Sequence, residues 1–139
     1  SGLKKGTSPF TTGQTQATNV KTAAEALSKT DRVVGVTVIH GESDLEDGSD
    51  SAYEGYLVEW QNDYDIDTRA ITGQSTTIPM FTDQMSSFTV YGETTSLVTM
   101  AQLAASENNP GKIYLVGPKY FLNYSVTSHL DNEGYRKLG

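Results

Sequence analysis

The chain has 139 residues, with ten Lys or Arg against seventeen Asp or Glu and a formal net charge of −7. That length suits one domain with a real core and is too short for two. The scattered cations argue against nucleic acid and anionic membranes as partners, because neither phosphate nor lipid headgroup would meet a basic patch. Cysteine is absent, which excludes disulfides and a thiolate metal site.

No apolar run approaches the ~18 residues a membrane span needs, and no signal peptide is visible. Residues 1–17, rich in Gly, Thr, Ser and Lys, read as a loop or extension. Asn19 to Ser28 predicts a helix, with Val20, Ala23, Ala24 and Leu27 at helical spacing and Thr18 or Asn19 as N-cap. Arg32 to Ile39 is β-branched and apolar and predicts a buried parallel strand. It ends abruptly in His40-Gly41-Glu42-Ser43-Asp44. A parallel strand delivers functional groups in this way to the carboxyl edge of an α/β sheet.

Leu45 to Asp50 is an acidic loop. Ser51-Ala-Tyr-Glu54 spells a capping box, opening a helix whose Tyr53, Tyr56, Leu57, Trp60 and Tyr64 form one aromatic-rich stripe. Periodicity of that kind predicts packing on the sheet. Thr77 to Phe81 is a short strand, with Pro79 near its start, where a missing donor does least harm. Ser96 to Ser106 is a helix with Leu97, Met100, Ala101 and Leu103 or Ala104 inward. Asn108-Asn-Pro-Gly111 is a turn, and Lys112 to Val116 another strand. Asp131 begins a last helix with Tyr135 and Leu138 on one face. The second histidine, His129, stands just before it.

The alternation of helix and strand predicts an α/β sandwich with a parallel sheet. Only three strands are visible, whereas a sheet has about five or six. The expected fold is a flavodoxin-like three-layer α/β/α sandwich, incomplete at the N-terminus. Residues 18–139 then form the C-terminal portion of a single domain, clipped at both ends.

His40-Gly-Glu-Ser-Asp44 resembles the "(W/H)QGESD" block of the SGNH/GDSL hydrolase superfamily, in its sialate O-acetylesterase-like and acetyl-xylan-esterase-like branch. Tyr53, Leu57 and Asp67-Thr-Arg69 are similar to the helix after that block, and Ile78-Pro-Met-Phe81 with Asp83-Gln84 to its next strand. Val116-Gly-Pro118 and His129-Leu-Asp-Asn-Glu-Gly-Tyr-Arg-Lys-Leu-Gly139 resemble the terminal block, where a histidine precedes a helix containing "GYR-LG". The resemblance spans roughly residues 18–139.

It implies ester hydrolysis, usually deacetylation of carbohydrate, with no metal or organic cofactor. A serine attacks the acyl carbon, a histidine takes its proton and a carboxylate orients the histidine. Carried over, His129 is the general base. Gly41 and Ser43 fall where the superfamily places oxyanion donors. His40 replaces the family's Gln and is open to two readings, a substrate contact or a packed residue. Asp44 reads as a cap for the following loop and Asp131 as an N-cap.

Two departures qualify the resemblance. The family's nucleophile lies in an upstream "GDS" or "GQS" block after the first strand, and nothing before Gly41 reads as strand plus Gly-x-Ser. Gly13-Gln-Thr15 carries Thr, and Gly73-Gln-Ser75 lies downstream in a Thr-rich turn. The nucleophile is therefore expected from a missing N-terminal segment or another chain. Many relatives also place the triad Asp three residues before the histidine, where this chain has Val126. Glu42 is then the first candidate for the orienting carboxylate, with a structural role in its own turn as the alternative.

The leading expectation is a serine esterase acting on acylated carbohydrate. The runner-up is a non-catalytic carbohydrate-binding or structural module on the same fold, as in a phage tail or cell-surface protein. A metal-dependent hydrolase built from His40, Glu42, Asp44 and His129 comes third, without HxxxH or HxH spacing to support it. An acidic, cysteine-free chain of this kind suits secretion or a particle surface.

Overall fold

A computed structural model describes residues 3–46, 50–125 and 129–139. The elements are α1 (Ser8–Ala26), β1 (Val36–Val38), α2 (Glu42–Glu46), a 3-10 turn (Asp50–Ala52), α3 (Tyr53–Thr72), β2 (Met80–Gln84), a second 3-10 turn (Ser87–Tyr91), α4 (Leu97–Asn108), β3 (Ile113–Pro118) and α5 (Asn132–Leu138). The three strands form one parallel sheet in the order β1-β2-β3. Val36, Met80 and Ile113 lie in register, followed by Thr37, Phe81 and Tyr114. This is an α/β fold with a parallel sheet, as the alternation of elements predicts. Among the described residues, no helix is long and apolar enough to cross a membrane.

The largest departure from expectation is α1, which begins at Ser8 inside the segment read as loop. Pro9 sits in its first turn, where a missing N–H costs nothing. Thr11, Thr15, Thr18 and Thr22 each turn a hydroxyl back to the carbonyl four residues earlier. A threonine-rich stretch thus satisfies itself as helix. The face is also different. Phe10 is buried against the Tyr64 ring at 4.7 Å, whereas Val20 and Leu27 are 60% and 73% exposed. Residues with helical spacing face water because α1 packs on α3 through another face.

The capping box does not form. Ser51 belongs to the 3-10 turn, Ala52 takes the cap position without a side-chain bond, and Glu54 accepts from Asn108 Nδ2 at 2.8 Å instead. The aromatic stripe of α3 does pack inward at Tyr53 and Leu57. α4 starts where expected, its Ser96 hydroxyl accepting from the Thr99 N–H. Its buried residues, however, are Val98, Gln102 and Ala105, while Leu97 and Met100 are exposed. The helix is rotated by one residue so that an uncharged polar side chain reaches the core. β2 likewise begins three residues later than expected, at Met80.

The core joins Val38, Tyr53, Leu57, Met80, Met85, Phe88, Val98, Ala105 and Ile113. Buried amides stitch it to the strand ends, which satisfies backbone groups that the short strands leave unpaired. Gln61 Nε2 donates to Ile78 O at 3.1 Å, and Asp65 Oδ1 accepts the Ile78 N–H at 2.8 Å. The Gln74 side chain accepts from Val33 N at 2.9 Å and donates to Val33 O at 3.0 Å, extending the sheet before β1. Strand alternation sends Thr37, Phe81, Tyr114 and Val116 to the other side of the sheet. There Phe81 and Tyr114 stack with centroids 5.4 Å apart, and Val116 is 65% exposed.

Candidate functional site

The carboxyl edge of the sheet is built around Gly41 and Gln102. Gly41 has φ +127° and is buried. A Cβ there would lie 2.8 Å from Val98 Cγ1 and 3.2 Å from Tyr53 Oη, so only glycine fits. Gln102 is fully buried. Its Nε2 donates to His40 O at 2.9 Å and its Oε1 accepts the Met85 N–H at 2.7 Å. One side chain of α4 therefore fixes the ends of β1 and β2 together. The chain leaves β1, turns at Gly41 and enters α2 with Glu42 and Ser43 in its first turn.

The second half of the edge comes from the segment after β3. Lys119 N–H donates to Gln84 O, and Asp131 N–H to Asn123 O. A bridge joins Tyr124 to Leu130, and both the N–H and the hydroxyl of Ser125 donate to His129 O, at 2.9 and 3.0 Å. His129 itself is exposed. Asp131 caps α5, its Oδ1 accepting from Gly134 N at 2.7 Å, which is the role the sequence predicts. Gly134 is obligatory there, since a Cβ would collide with Asn123 O.

Glu42, Ser43 and His129 line one cavity of about 320 Å³, with Ile39, Lys119 and Tyr124 among its walls. Behind it lies a buried ion cluster. Lys119 is 4% exposed and Asp83 is 6% exposed. Lys119 Nζ lies 2.6 Å from Asp83 Oδ2 and 3.2 Å from Glu42 Oε1. Burial pushes the Asp83 carboxyl above its ordinary range, against the pull of Lys119. Burial also disfavours the Lys119 ammonium, but its bond to Asp83 and the charges of Asp83 and Glu42 outweigh this and raise its pKa. Glu42 thus meets a buried ammonium at the cavity wall.

His40 and Asp44 belong elsewhere. The His40 Nδ1 lies 3.2 Å from Tyr53 Oη and 3.4 Å from Asp44 Oδ2, and its ring meets Trp60 edge-on at 6.0 Å. Together they line a crevice of about 10 Å³ against α3, room for about one water. Burial, followed by the Asp44 charge, pushes the Tyr53 phenol far above its usual pKa, so it remains a neutral hydrogen-bonding partner for His40. The His40 ring thus packs between Tyr53 and Trp60, with Asp44 beside it. The loop that Asp44 was expected to cap includes residues 47–49, outside the described residues. The four groups of the metal reading divide between two cavities, and among the described residues no group of three or more His, Asp or Glu could hold a metal ion.

Of the Gly-x-Ser look-alikes, Gly73 ends α3 in a left-handed conformation and Gln74 is spent on Val33. Ser75 precedes β2 and so lies at the amino edge of the parallel sheet, opposite the cavity. Gly13-Gln-Thr15 is inside α1. Val126 lies outside the described residues.

Sequence reading overlooked Lys119, Asp83 and Gln102. A lysine directly after an apolar strand that ends in Gly-Pro was the available signal for the first, because it places an ammonium at the carboxyl edge. No family model, curated protein or solved structure matches the chain.

Proposed function

We propose that the chain is the C-terminal portion of an SGNH-type serine esterase on a flavodoxin-like three-layer α/β/α sandwich, removing acyl groups, chiefly acetyl, from carbohydrate. The observation that carries this reading is the shared cavity at the carboxyl edge. Glu42 and Ser43 come from the first sequence block and His129 from the last, and the fold brings both blocks to one opening.

In this reading His129 is the general base, its backbone fixed by Ser125. Glu42, 3.2 Å from Lys119 Nζ, lines the same cavity and stabilises the imidazolium that forms when the nucleophile gives up its proton. Ser43 offers a hydroxyl, and the turn at Gly41 offers backbone N–H groups, to the developing oxyanion. The nucleophilic serine comes from outside these residues, from a preceding segment or a second chain, and needs neither metal nor organic cofactor. Partner and substrate are thus an acylated carbohydrate and the polypeptide that brings the serine.

The test is intact-mass analysis of the native protein before and after a fluorophosphonate probe. A heavier species than 15.1 kDa with one phosphonyl adduct outside this segment supports the assignment. An adduct on Ser43 would move the nucleophile into this chain. The absence of any adduct removes the catalytic reading and leaves a second one, a carbohydrate-binding or structural module on the same fold, such as a particle-surface domain. The ion pair favours that second reading, because Lys119 already occupies one oxygen of Glu42.

A further inference from the structure

A wholly parallel sheet normally has both faces covered, because its crossover connections lay helices on each. In this chain α3 and α4 pack Tyr53, Leu57, Val98 and Ala105 over Val38, Met80 and Ile113. The opposite face carries Thr37, Ile39, Phe81, Tyr114 and Val116 by strand alternation. Ile39, Tyr114 and Val116 are open to solvent, and Phe81 is half-buried. The Phe81 ring lies against Gly35, where a Cβ would come 2.6 Å from it, and stacks on Tyr114 with 20° between the planes. Both rings thus lie along the sheet and leave it flat. Leu138 of α5 extends the patch, sharing one cavity wall with Ile39 and another with Val116 and Phe121.

We propose that this face is a homodimer interface, in which two copies of the chain pack sheet against sheet. Charge is the first reason for a second copy as the occupant. Across a two-fold axis a patch meets itself, so any charge on it would oppose its own kind. Thr37, Ile39, Phe81, Tyr114, Val116 and Phe121 are all uncharged, on a chain whose net charge is −7. Lys137 borders the patch, at the rim, where interfaces are polar.

Area is the second reason. A large aromatic side chain presents ~150–250 Å² when fully exposed, and on that scale the exposed parts of Ile39, Tyr114, Val116, Phe121 and Leu138 amount to roughly 500 Å² of apolar surface. A standard interface takes about 800 Å² from each partner, and homodimer interfaces are about 65% apolar. The patch therefore supplies the apolar share that a stable dimer needs. The stacked Phe81 and Tyr114 rings form its aromatic centre, the kind of residue on which interface energy concentrates. This inference rests on the sheet and is independent of the esterase reading.

The experiment is sedimentation velocity of the chain over a concentration series reaching hundreds of micromolar. A species of twice 15.1 kDa is expected. Added salt should tighten the dimer, because it screens repulsion between two acidic copies and an apolar interface has no ion pairs to lose. Tyr114→Lys and Val116→Lys, both at exposed positions, should each weaken the dimer by roughly tenfold or more. Met100→Lys, on the exposed side of α4, should leave it unchanged. Circular dichroism checks that each variant folds. Should a strand variant unfold, Ile39→Lys, just outside β1, gives the same reading. A monomer at every concentration overturns the inference and assigns the face to another polypeptide or to a preceding segment. A dimer that survives the lysine substitutions, or that salt disperses, places the interface elsewhere and also overturns it.

Discussion

Lys119→Met is the most informative single change. It removes the ammonium 2.6 Å from Asp83 and 3.2 Å from Glu42 while keeping much of the side-chain volume. The Asp83 side chain is 7% exposed and that of Glu42 29% exposed, so Asp83 bears most of the loss. Breaking a buried pair by removing one partner costs about 3–5 kcal/mol, because the other charge stays buried and uncompensated. For a chain of this size that lowers Tm by on the order of 10 °C.

The pH dependence is a sharper criterion. In the native chain Lys119 has a raised pKa, so its contribution is complete below the unfolded value of 10.5 and disappears as pH climbs through the native one. Asp83 has a native pKa above 3.8 even with Lys119 beside it. Without that cation it rises further, and the variant regains stability as pH falls through the new value. Chemical denaturation followed by Trp60 fluorescence, at pH 7 and at mildly acidic pH, should show a deficit that shrinks on acidification. Adding Asp83→Leu should restore much of it, since an apolar replacement of a whole buried pair is often neutral. A deficit below about 1 kcal/mol, the scale of an exposed pair, or one that is the same at both pH values, refutes the reasoning.

Gly41→Ala combines a positive-φ penalty of about 1–3 kcal/mol with a Cβ 2.8 Å from Val98, and a shift in the denaturation midpoint reads it directly. Gln102→Leu orphans the Met85 N–H and the His40 carbonyl, at about 1–3 kcal/mol for each buried group. Its signature is accelerated exchange of the Met85 amide. Asp131→Ala removes the α5 cap. About 1 kcal/mol is expected, with α5 amides losing protection while those of β2 keep theirs.

The alternation of elements and the polar break after β1 were legible because they follow from local pattern. A β-branched run, a Gly at the turn and an Asp before a short helix each carry their own physical reason. Three things were not legible. α1 hides in a Thr-rich stretch, whose helical state depends on hydroxyls bonding back along the helix and on docking to α3. The buried face of α4 is chosen by Gln102, and hydropathy counts such a residue as solvent-facing. The Lys119–Asp83–Glu42 cluster joins residues from three elements, and only the folded sheet edge puts them together. His40 shows the converse. Sequence grouped it with Glu42 and Ser43, but one turn of backbone at Gly41 sends it to the opposite side, toward Tyr53.

The attachment of α1 has a consequence for how the molecule comes apart. No α1 residue belongs to the core cluster. Among the described residues, α1 is held by Phe10 on Tyr64, by reciprocal bonds between Gln14 and Thr68 at 3.2 and 3.3 Å and by Lys21 to Ile71 O at 2.7 Å, with Lys5 just before it paired to Asp67 at 2.7 Å. A ring contact and a few polar links are a weak tether beside the apolar packing of α3 and α4. Unfolding therefore proceeds in two cooperative units. Under native conditions the amides of α1 exchange with solvent first, through an opening that leaves the sheet and both cavities intact. Those of Val38 and Thr82 exchange only when the whole structure is lost.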